Sequence, residues 1–349
     1  MTGHQGGATG RVVVSQFVFP ECLTPLEEAG LEVQAQPGDA PLPPAGLREL
    51  CADADALICL LTDRVDEALL GAAPRLSVVA NVAVGYDNID VSAATRAGVA
   101  VTNTPGVLTE ATADLAFALL LAVARRVPEG DAFLRAGRYT HWKLAQEQLG
   151  LDVHGQTLGI IGLGQIGRAV ARRAFHGFGM RVLYHSRTRL DPTEEVELGV
   201  TYVELDRLFA ESDFVSLHAP LTEETRHIVD RRALTLMKPT AVLINTSRGP
   251  LVDEAALVEA LRSGAIAGAG LDVYEREPEV HPGLLELRER VVLLPHLGSA
   301  TLPTRRRMAD MAVLNVLAAL SGRRPPNLVN PEVLVAGRVP RRQESNDAV

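Results

Sequence analysis

Arg248, Glu277 and His296 are the side chains in this sequence best suited to chemistry, and each follows an apolar, strand-like run. Open α/β sheets bind ligands where their strands end, so residues that follow such strands are expected at one edge. Arginine keeps its charge and can grip a carboxylate with two parallel hydrogen bonds. Histidine can transfer a proton near neutral pH, and a carboxylate beside it favours its charged form. Beside a dinucleotide site, groups of these kinds would be suited to hydride transfer to a 2-keto acid.

Each of these side chains also has a structural explanation when it is considered alone. Arg248 could form a surface ion pair, Glu277 could be a solvated loop charge, and His296 could be a polar group at a strand end. All three follow strands in one domain, downstream of a glycine-rich loop, and this combination favours the catalytic interpretation. We therefore take Arg248, Glu277 and His296 as the candidate catalytic residues.

The glycine-rich loop is Gly162-Leu-Gly-Gln-Ile-Gly167, which follows an apolar strand at 157–161 and precedes a helical pattern at 165–175. A GxGxxG pattern alone is a weak signal, because glycines are common in plain strand-to-helix turns. In this context Gly162 permits the turn, Gly164 lets the backbone approach a pyrophosphate, and Gly167 lets helix and strand pack closely. The helix start then supplies N–H donors, so the pattern predicts a dinucleotide site.

The choice of dinucleotide is indicated about 20 residues further on, where NAD-specific domains place a carboxylate for the ribose 2′-hydroxyl. This chain has Ser186, Arg187 and Thr188 there instead. A serine and an arginine can bind a 2′-phosphate, which a carboxylate would repel. We therefore expect NADPH as the cofactor, with NADH less favoured. The alternative is that Arg187 and Arg189 are merely solvated.

Composition limits the remaining function classes. The 349 residues carry a formal net charge of -9, and such a chain lacks the basic surface that nucleic-acid binding needs. The longest apolar stretch, 115–124, is shorter than the roughly 20 residues of a membrane span, and the N-terminus does not resemble a signal peptide. Cys22, Cys51 and Cys59 form no metal-binding or disulfide pattern. We expect a cytoplasmic protein without a metal, a nucleic-acid partner or a membrane partner.

Strand-like and helix-like segments alternate along the chain, which predicts an α/β fold. The predicted strands are 12–18, 56–61, 76–79 and 99–101, followed by 157–161, 181–184, 214–217, 241–245, 267–272 and 291–294. Helices are predicted at 109–126, with Thr109 as its N-cap, and at 301–320; the proline-rich stretch 38–46 is predicted to be a surface loop. The second series fits a Rossmann-type, doubly wound parallel sheet, and the first a smaller flavodoxin-like α/β domain.

The order of these segments predicts a discontinuous domain. We expect a substrate domain formed by 11–104 and 301–335, because the last long helix can return to the first unit. The dinucleotide-binding domain would span 105–300, and the two crossings between domains would form a hinge. The tails at 1–10 and 341–349 are expected to be disordered.

Several long motifs of this chain resemble those of the D-isomer-specific 2-hydroxyacid dehydrogenases, from about residue 12 to residue 330. They are Gly159-Ile-Ile-Gly-Leu-Gly-Gln-Ile-Gly167, Asn245-Thr-Ser-Arg-Gly249, Gly270-Leu-Asp-Val-Tyr274 with Glu277-Pro278, and Pro295-His-Leu-Gly-Ser-Ala-Thr301. Within that family the chain is most similar to the glyoxylate/hydroxypyruvate reductases, through Val82-Ala-Val-Gly-Tyr-Asp-Asn-Ile-Asp90, the Tyr-x-Ser-Arg at 184–187, the end of the last motif and Trp142.

The resemblance implies a role for each catalytic candidate. Arg248 would bind the substrate carboxylate and polarise its carbonyl, and His296 would be the general acid/base. Glu277 would hold the imidazole and favour its charged form. The backbone N–H groups of Val84 and Gly85 would complete the grip on the carboxylate.

The resemblance also implies a set of cofactor contacts. The predicted set is Gly162, Gly164, Gln165, Ile166, Gly167, Ser186, Arg187, Thr188, Thr112, Pro220, Thr246, Asp272 and Gly298. Asp272 would hydrogen-bond the nicotinamide carboxamide, although a helix or loop cap explains it equally well. Thr112, Thr246 and Gly298 would line the ring, whereas His218 would shape the pocket through packing.

Trp142, the one tryptophan, would come from a partner subunit and wall the substrate pocket, which favours a small substrate. The alternative is an anchor in the dimer interface, and both interpretations require a homodimer. We expect NADPH-dependent reduction of glyoxylate or hydroxypyruvate to glycolate or D-glycerate. The alternatives are a relative acting on another 2-keto acid, such as 2-ketogluconate, and a dinucleotide-sensing, corepressor-like binding protein.

Overall fold

The structure, a computed structural model, describes residues 10–336. Apart from Gly10, the tails predicted to be disordered lie outside the described residues. Of the described residues, those up to Leu108 and those from Thr301 form one compact unit, and Thr109–Ala300 form the other. The assignment of the first unit to substrate binding stays a prediction.

The secondary structure alternates between strands and helices as the sequence predicts. The strands are β1 (Arg11–Val14), β2 (Glu32–Ala35), β3 (Ala56–Cys59), β4 (Val78–Asn81), β5 (Ala100–Thr102), β6 (Thr157–Ile161), β7 (Arg181–His185), β8 (Val200–Tyr202), β9 (Phe214–Leu217), β10 (Val242–Asn245), β11 (Gly268–Leu271) and β12 (Val291–Leu293). The helices are α1 (Pro20–Glu28), α2 (Pro44–Cys51), α3 (Glu67–Ala72), α4 (Val91–Arg96), α5 (Thr109–Ala124), α6 (Val127–Arg135), α7 (Gln165–Arg172), α8 (Pro192–Leu198), α9 (Leu205–Glu211), α10 (Arg231–Leu236), α11 (Glu254–Ser263), α12 (Pro282–Glu286), α13 (Leu302–Leu320) and α14 (Val333–Ala336).

The first unit contains a parallel five-stranded sheet in the order β2-β1-β3-β4-β5. This is the flavodoxin-like order. Alternate residues of β1 enter two different cores: Val12 and Val14 pack with α1 and α13, and Val13 packs with α2 and α3. The sheet is therefore covered on both faces, as parallel sheets require.

The second unit contains a parallel seven-stranded sheet in the order β12-β11-β10-β9-β6-β7-β8. Counted within the unit, this is the Rossmann order with one added edge strand. Side chains such as Leu243 and Leu271 pack toward α9–α11, and Ile160 and Ile244 pack toward α5 and α7. The predicted fold class is confirmed.

Several predicted boundaries are wrong, and the errors have local causes. The strands β2 and β8 were not predicted, because both are short edge strands with exposed polar residues. The stretch 38–46 is a loop only up to Pro43, since α2 begins at Pro44, where a proline is tolerated in the first turn. The helix at 109–126 starts at Thr109 itself and ends at Ala124; Arg126 takes a left-handed conformation before α6.

Cys22, Cys51 and Cys59 are buried free thiols, and burial raises the pKa of Cys51 to about 12, so it stays protonated. Among residues 10–336, no cluster of His, Cys, Asp or Glu could hold a metal ion. In the same range, no helix combines the length and the apolar character needed to cross a bilayer.

Candidate active site

The carboxyl ends of the strands in the second unit bring the predicted site residues to one edge of its sheet. Gly162 follows β6, Asp272 follows β11, and Arg248 and His296 come within a few residues of the ends of β10 and β12. The strand order changes direction between β6 and β9, and open α/β sheets bind their ligands at such a point.

The glycine loop has the geometry that a pyrophosphate needs. Gly162 has a φ of 91°, and a side chain there would collide with the backbone of Ala219. A Cβ on Gly167 would overlap the carbonyl oxygen of Gly162, so helix α7 could not approach the strand. A Cβ on Gly164, by contrast, would meet nothing within 4 Å. The loop thus leaves open space in front of the first N–H groups of α7, where Gln165 and Ile166 lie, and this fits a dinucleotide phosphate.

His296 and Glu277 form a close pair, with His296 Nδ1 2.9 Å from Glu277 Oε2. The other carboxylate oxygen accepts a hydrogen bond of 3.0 Å from the Tyr274 amide. Burial would raise the pKa of Glu277, but the hydrogen bond and charge of His296, the Tyr274 amide and the charge of Arg248 together lower it below its ordinary value. Glu277 is therefore ionised near neutral pH and is oriented toward the imidazole.

Asp272 fixes the loop that carries His296. Its two carboxylate oxygens accept hydrogen bonds from the amides of Leu297, at 2.6 Å, and Gly298, at 2.8 Å, and its carbonyl accepts one from the His296 amide. Asp272 is fully buried, and this desolvation raises its pKa although the two amides oppose the rise. His296 has a φ of 54°, an uncommon conformation that these bonds hold in place. Asp272 therefore caps this loop, and its contact with the nicotinamide stays a prediction, because each of its oxygens can accept a further hydrogen bond.

Arg248 is positioned by the turn that follows β10. Its carbonyl accepts a hydrogen bond of 2.9 Å from Asn245 Nδ2, and Asn245 Oδ1 accepts one of 3.0 Å from the Ser247 amide. The adjacent Gly249 passes so close to the carbonyl of Tyr274 that a Cβ would overlap it. The turn bearing Arg248 is thus packed directly on the turn bearing Glu277, and the charge of Arg248 acts on that carboxylate.

The predicted ring-lining residues cluster behind this edge. A Cβ on Gly298 would lie 3.3 Å from Asp272 Oδ2 and 3.6 Å from Thr112 Oγ1, so these three positions adjoin one another. Thr246 is also buried, and its Oγ1 has no hydrogen-bond partner within the described residues. A buried hydroxyl without a partner is costly, and such atoms occur where ligands bind.

The loop after β7 carries Ser186, Arg187 and Thr188. Ser186 is half-buried, and Arg187 and Thr188 are exposed. Arg189 is not merely solvated as the alternative proposed, because its guanidinium forms hydrogen bonds of 2.8 and 3.0 Å with the carboxylate of Glu195. The two arginines of this loop therefore differ.

His218 and Pro220 follow β9. His218 Nε2 lies 2.8 Å from Ser216 Oγ, and burial lowers the pKa of this imidazole to about 4, so it is neutral near pH 7. The carbonyl of Pro220 accepts a hydrogen bond of 2.7 Å from Thr225 Oγ1, which fixes the loop beside the glycine turn. The role predicted for His218, shaping the pocket through packing, stays a prediction.

Three predicted substrate residues do not follow the strands of this sheet. Val84 and Gly85 belong to the first unit, where their carbonyls accept hydrogen bonds from Asn103 and Asn81, both of 2.8 Å. Trp142 lies in an irregular segment of the second unit and is 67% exposed. The roles of all three stay predictions.

Sequence reasoning missed a second group of polar residues next to the site. Glu275, in the same turn as Glu277, has Oε1 2.7 Å from His227 Nε2, and its amide donates a hydrogen bond of 2.8 Å to Glu254 Oε1. Glu254 is buried at the start of α11, and this burial raises its pKa. The sequence carried no signal for this group, because Glu254 is the first residue of α11 and an acidic residue is common in the first turn of a helix.

Comparison with known proteins places the chain among similar sequences and structures. Residues 117–298 match the profile described as D-isomer specific 2-hydroxyacid dehydrogenase, NAD binding domain. The chain is 54% identical to the glyoxylate reductase of Thermococcus litoralis, over 85% of this chain and 90% of that protein. It is 53% identical to the glyoxylate reductase of Korarchaeum cryptofilum, over 93% and 97%. The NADPH-dependent glyoxylate/hydroxypyruvate reductase of Sinorhizobium meliloti, solved with NADP and malonate, has a TM-score of 0.81 and 39% identity, covering 96% of this chain and 99% of that chain.

Proposed function

Because the chain belongs to the D-isomer-specific 2-hydroxyacid dehydrogenases and is an oxidoreductase of that family, we propose that it reduces glyoxylate or hydroxypyruvate with NADPH. The products would be glycolate or D-glycerate. The observation that carries the proposal is the His296–Glu277 pair at 2.9 Å beside the charge of Arg248, at the sheet edge that holds the glycine loop. The similar glyoxylate reductase of Thermococcus litoralis and glyoxylate/hydroxypyruvate reductase of Sinorhizobium meliloti support the choice of keto acid.

Each residue of this group has a distinct task in the proposed reaction. The nicotinamide, when bound, supplies the hydride. Arg248 binds the carboxylate of the keto acid and draws electron density from the adjacent carbonyl. His296 gives a proton to the carbonyl oxygen from Nε2, since its Nδ1 faces Glu277. Glu277 keeps the imidazole in that orientation and stabilises its charged form.

The cofactor would be held by the loops after β6 and β7. The open space at Gly164 and the first N–H groups of α7 fit the pyrophosphate. Ser186 and Arg187 fit a 2′-phosphate, since the end of β7 carries no carboxylate that would repel it. This preference for NADPH over NADH is part of the proposal, and the complex of the Sinorhizobium meliloti protein with NADP supports it.

A homodimer is also part of the proposal. The segment 127–149 exposes large apolar side chains, which a monomer rarely leaves open to water. They are Val127, Leu134, Tyr139, Trp142, Leu144 and Leu149. A second copy of the chain would cover them, and Trp142 would reach the partner's substrate pocket. Sedimentation should give twice the chain mass of 37.3 kDa.

The proposed setting is the cytoplasm, with a small keto acid as the partner and neither nucleic acid nor membrane. The three buried free thiols fit a reducing compartment, and the net charge of -9 opposes nucleic-acid binding.

A keto-acid panel tests the proposed function directly. The full chain is assayed with glyoxylate, hydroxypyruvate, pyruvate and 2-ketogluconate, each with NADPH and with NADH. We expect the highest kcat/KM for glyoxylate or hydroxypyruvate with NADPH. A higher kcat/KM with NADH would contradict the cofactor preference, and a higher value for 2-ketogluconate would contradict the substrate. Cofactor binding without turnover of any keto acid would instead favour a dinucleotide-sensing binding protein.

A further inference from the structure

The loop between β7 and α8 is held by a single carboxylate, that of Glu195. Its Oε1 accepts a hydrogen bond of 2.8 Å from the Tyr184 hydroxyl and another of 2.8 Å from Arg189 Nε. Its Oε2 accepts one of 3.0 Å from Arg189 Nη2. The Tyr184 oxygen in turn accepts a hydrogen bond of 2.8 Å from the Leu190 amide. We call Tyr184, Arg189 and Glu195 the loop clamp.

Burial and charge make the loop clamp a well-defined structure. Tyr184 is fully buried, and the side chain of Glu195 is only 12% exposed. The hydrogen bond from Arg189 lowers the pKa of Glu195, and burial raises the pKa of Tyr184, so the carboxylate is ionised and the phenol keeps its proton. The Arg189 guanidinium also lies over the ring of Tyr202, 5.4 Å from its centroid. A bidentate carboxylate and an aromatic face thus hold this arginine.

Because of the loop clamp, the two arginines of the loop have different surroundings. Arg189 is hydrogen-bonded to Glu195, whereas Arg187 is exposed and its charge acts on Glu224. The hydrogen bond from the Leu190 amide to the Tyr184 hydroxyl joins the two ends of the loop, on either side of residues 186–188. Ser186 and Arg187 are therefore presented from a loop whose two ends are fixed.

We propose that Glu195 determines cofactor selectivity by holding this loop in the conformation that presents Ser186 and Arg187 to a 2′-phosphate. The inference rests on the proposed use of NADPH. Glu195 is a positioning residue, and it does not contact the cofactor itself. The rival explanation is that Arg189 binds the phosphate directly and that Glu195 competes with the phosphate for it.

The two explanations predict opposite signs for one substitution. If Glu195 competes with the phosphate, Glu195→Ala removes a negative charge, releases Arg189 and strengthens binding. If the clamp positions the loop, Glu195→Ala weakens binding because the loop loses its preorganised form. Arg189→Ala weakens binding in both cases, so it does not separate the explanations by itself. Equal losses in Arg189→Ala and Glu195→Ala would indicate that the two partners act as one unit.

The experiment measures binding by calorimetry with 2′,5′-ADP and 5′-AMP, which differ only in the 2′-phosphate, on the full chain. We expect Glu195→Ala and Arg189→Ala each to raise the Kd for 2′,5′-ADP about tenfold and to change that for 5′-AMP less than about twofold. The matched control is Glu194→Ala, which removes the same charge from α8 but breaks only the exposed pair with Arg168 at 3.0 Å. That variant should keep the wild-type Kd for both ligands.

Each other result has a defined meaning. The proposed role of the loop clamp would be contradicted if Glu195→Ala bound 2′,5′-ADP more tightly or with an unchanged Kd. It would also be contradicted if Glu194→Ala lost as much affinity as Glu195→Ala. Wild-type protein that binds both ligands equally would instead contradict the proposed NADPH preference. If Glu195→Ala does not fold, Tyr184→Phe removes only the bridging hydroxyl, and it should weaken 2′,5′-ADP in the same selective way; an unchanged Kd there would also overturn the clamp.

Discussion

Two histidine–glutamate pairs are built on the same turn of the chain, and only one of them is placed for the proposed chemistry. His296 lies 2.9 Å from Glu277, and His227 lies 2.7 Å from Glu275. Both histidines have a positive φ, of 54° and 51°. Their side chains are similarly exposed, at 33% and 39%. Neither the contact distance nor the backbone nor the burial separates the two pairs.

Their surroundings separate them. His296 follows β12 at the carboxyl edge of the sheet, and the charge of Arg248 acts on its partner Glu277. His227 instead donates its amide to the carbonyl of Pro250, and the Glu275 amide is bound by Glu254. The second pair therefore joins two surface turns to α11. A histidine paired with a carboxylate is a candidate general acid only where the same sheet edge also carries a cation for the substrate and a cofactor-binding loop.

The largest expected effect comes from replacing the two histidines in turn. His296→Asn should lower kcat for glyoxylate reduction about 10²- to 10⁴-fold, because it removes the proton donor. His227→Asn removes an imidazole of the same kind and should leave kcat within about twofold. Steady-state kinetics with NADPH measures both variants. Comparable losses in the two variants would show that the sheet edge does not distinguish the pairs.

A smaller effect is expected from the two glutamates. Against the effect of burial, the hydrogen bond and charge of His296 lower the pKa of Glu277, so its carboxylate is ionised near neutral pH. Glu277→Gln removes this charge, so the charged imidazole is less favoured, and kcat should fall on the order of 10- to 100-fold. The loss in kcat should grow as the pH rises, because Glu277 is the group that favours the charged form of the proton donor.

Glu275→Gln is the matched control for that pH profile. It changes a glutamate two positions away and leaves the Glu275 amide bound to Glu254. We expect kcat of Glu275→Gln to vary with pH in the same way as kcat of the wild type. A loss in Glu277→Gln that does not vary with pH would indicate a role in packing rather than in the charge of the imidazole.

The sequence alone predicted which residues follow the strands of the second sheet. It did not predict the difference between the two histidine–glutamate pairs. Strand-end positions made Arg248, Asp272 and His296 predictable, because parallel strands place their carboxyl ends together. The glycine loop was predictable because a side chain at Gly162 or Gly167 would collide with neighbouring backbone. The fold class followed from the alternation of apolar runs, and the comparisons confirm it.

The remaining features depend on contacts between distant residues. Arg189 looked as exposed as Arg187, and only folding places Glu195 against it. The cap formed by Asp272 depends on the amides of Leu297 and Gly298, which lie about 25 residues further along the chain. Strands β2 and β8 lie at sheet edges, where one-sided burial leaves a weak apolar pattern. Side-chain partners and edge strands are therefore set by tertiary structure.

The smallest expected effect concerns His218, which follows β9 at the same edge and has a hydroxyl as its partner instead of a carboxylate. Because burial lowers its pKa from 6.5 to about 4, the folded state keeps it neutral while the unfolded chain binds a proton below pH 6.5. The stability of the wild type is therefore intact above pH 6.5 and is lost progressively as the pH falls toward 4.

His218→Gln keeps a polar group but cannot take up the proton. Relative to the wild type, the variant should gain on the order of 2 kcal/mol in the free energy of unfolding between pH 7 and pH 4, a value discounted for partial exposure. Urea unfolding at several pH values measures the difference, and His227→Gln provides a half-buried histidine for comparison. A difference between His218→Gln and wild type that stays constant with pH would show that His218 takes up its proton over the same pH range in the folded and the unfolded protein, so that burial does not keep it neutral. A role for His218 in packing alone would then lose its support, because it could exchange protons at the same sheet edge as His296.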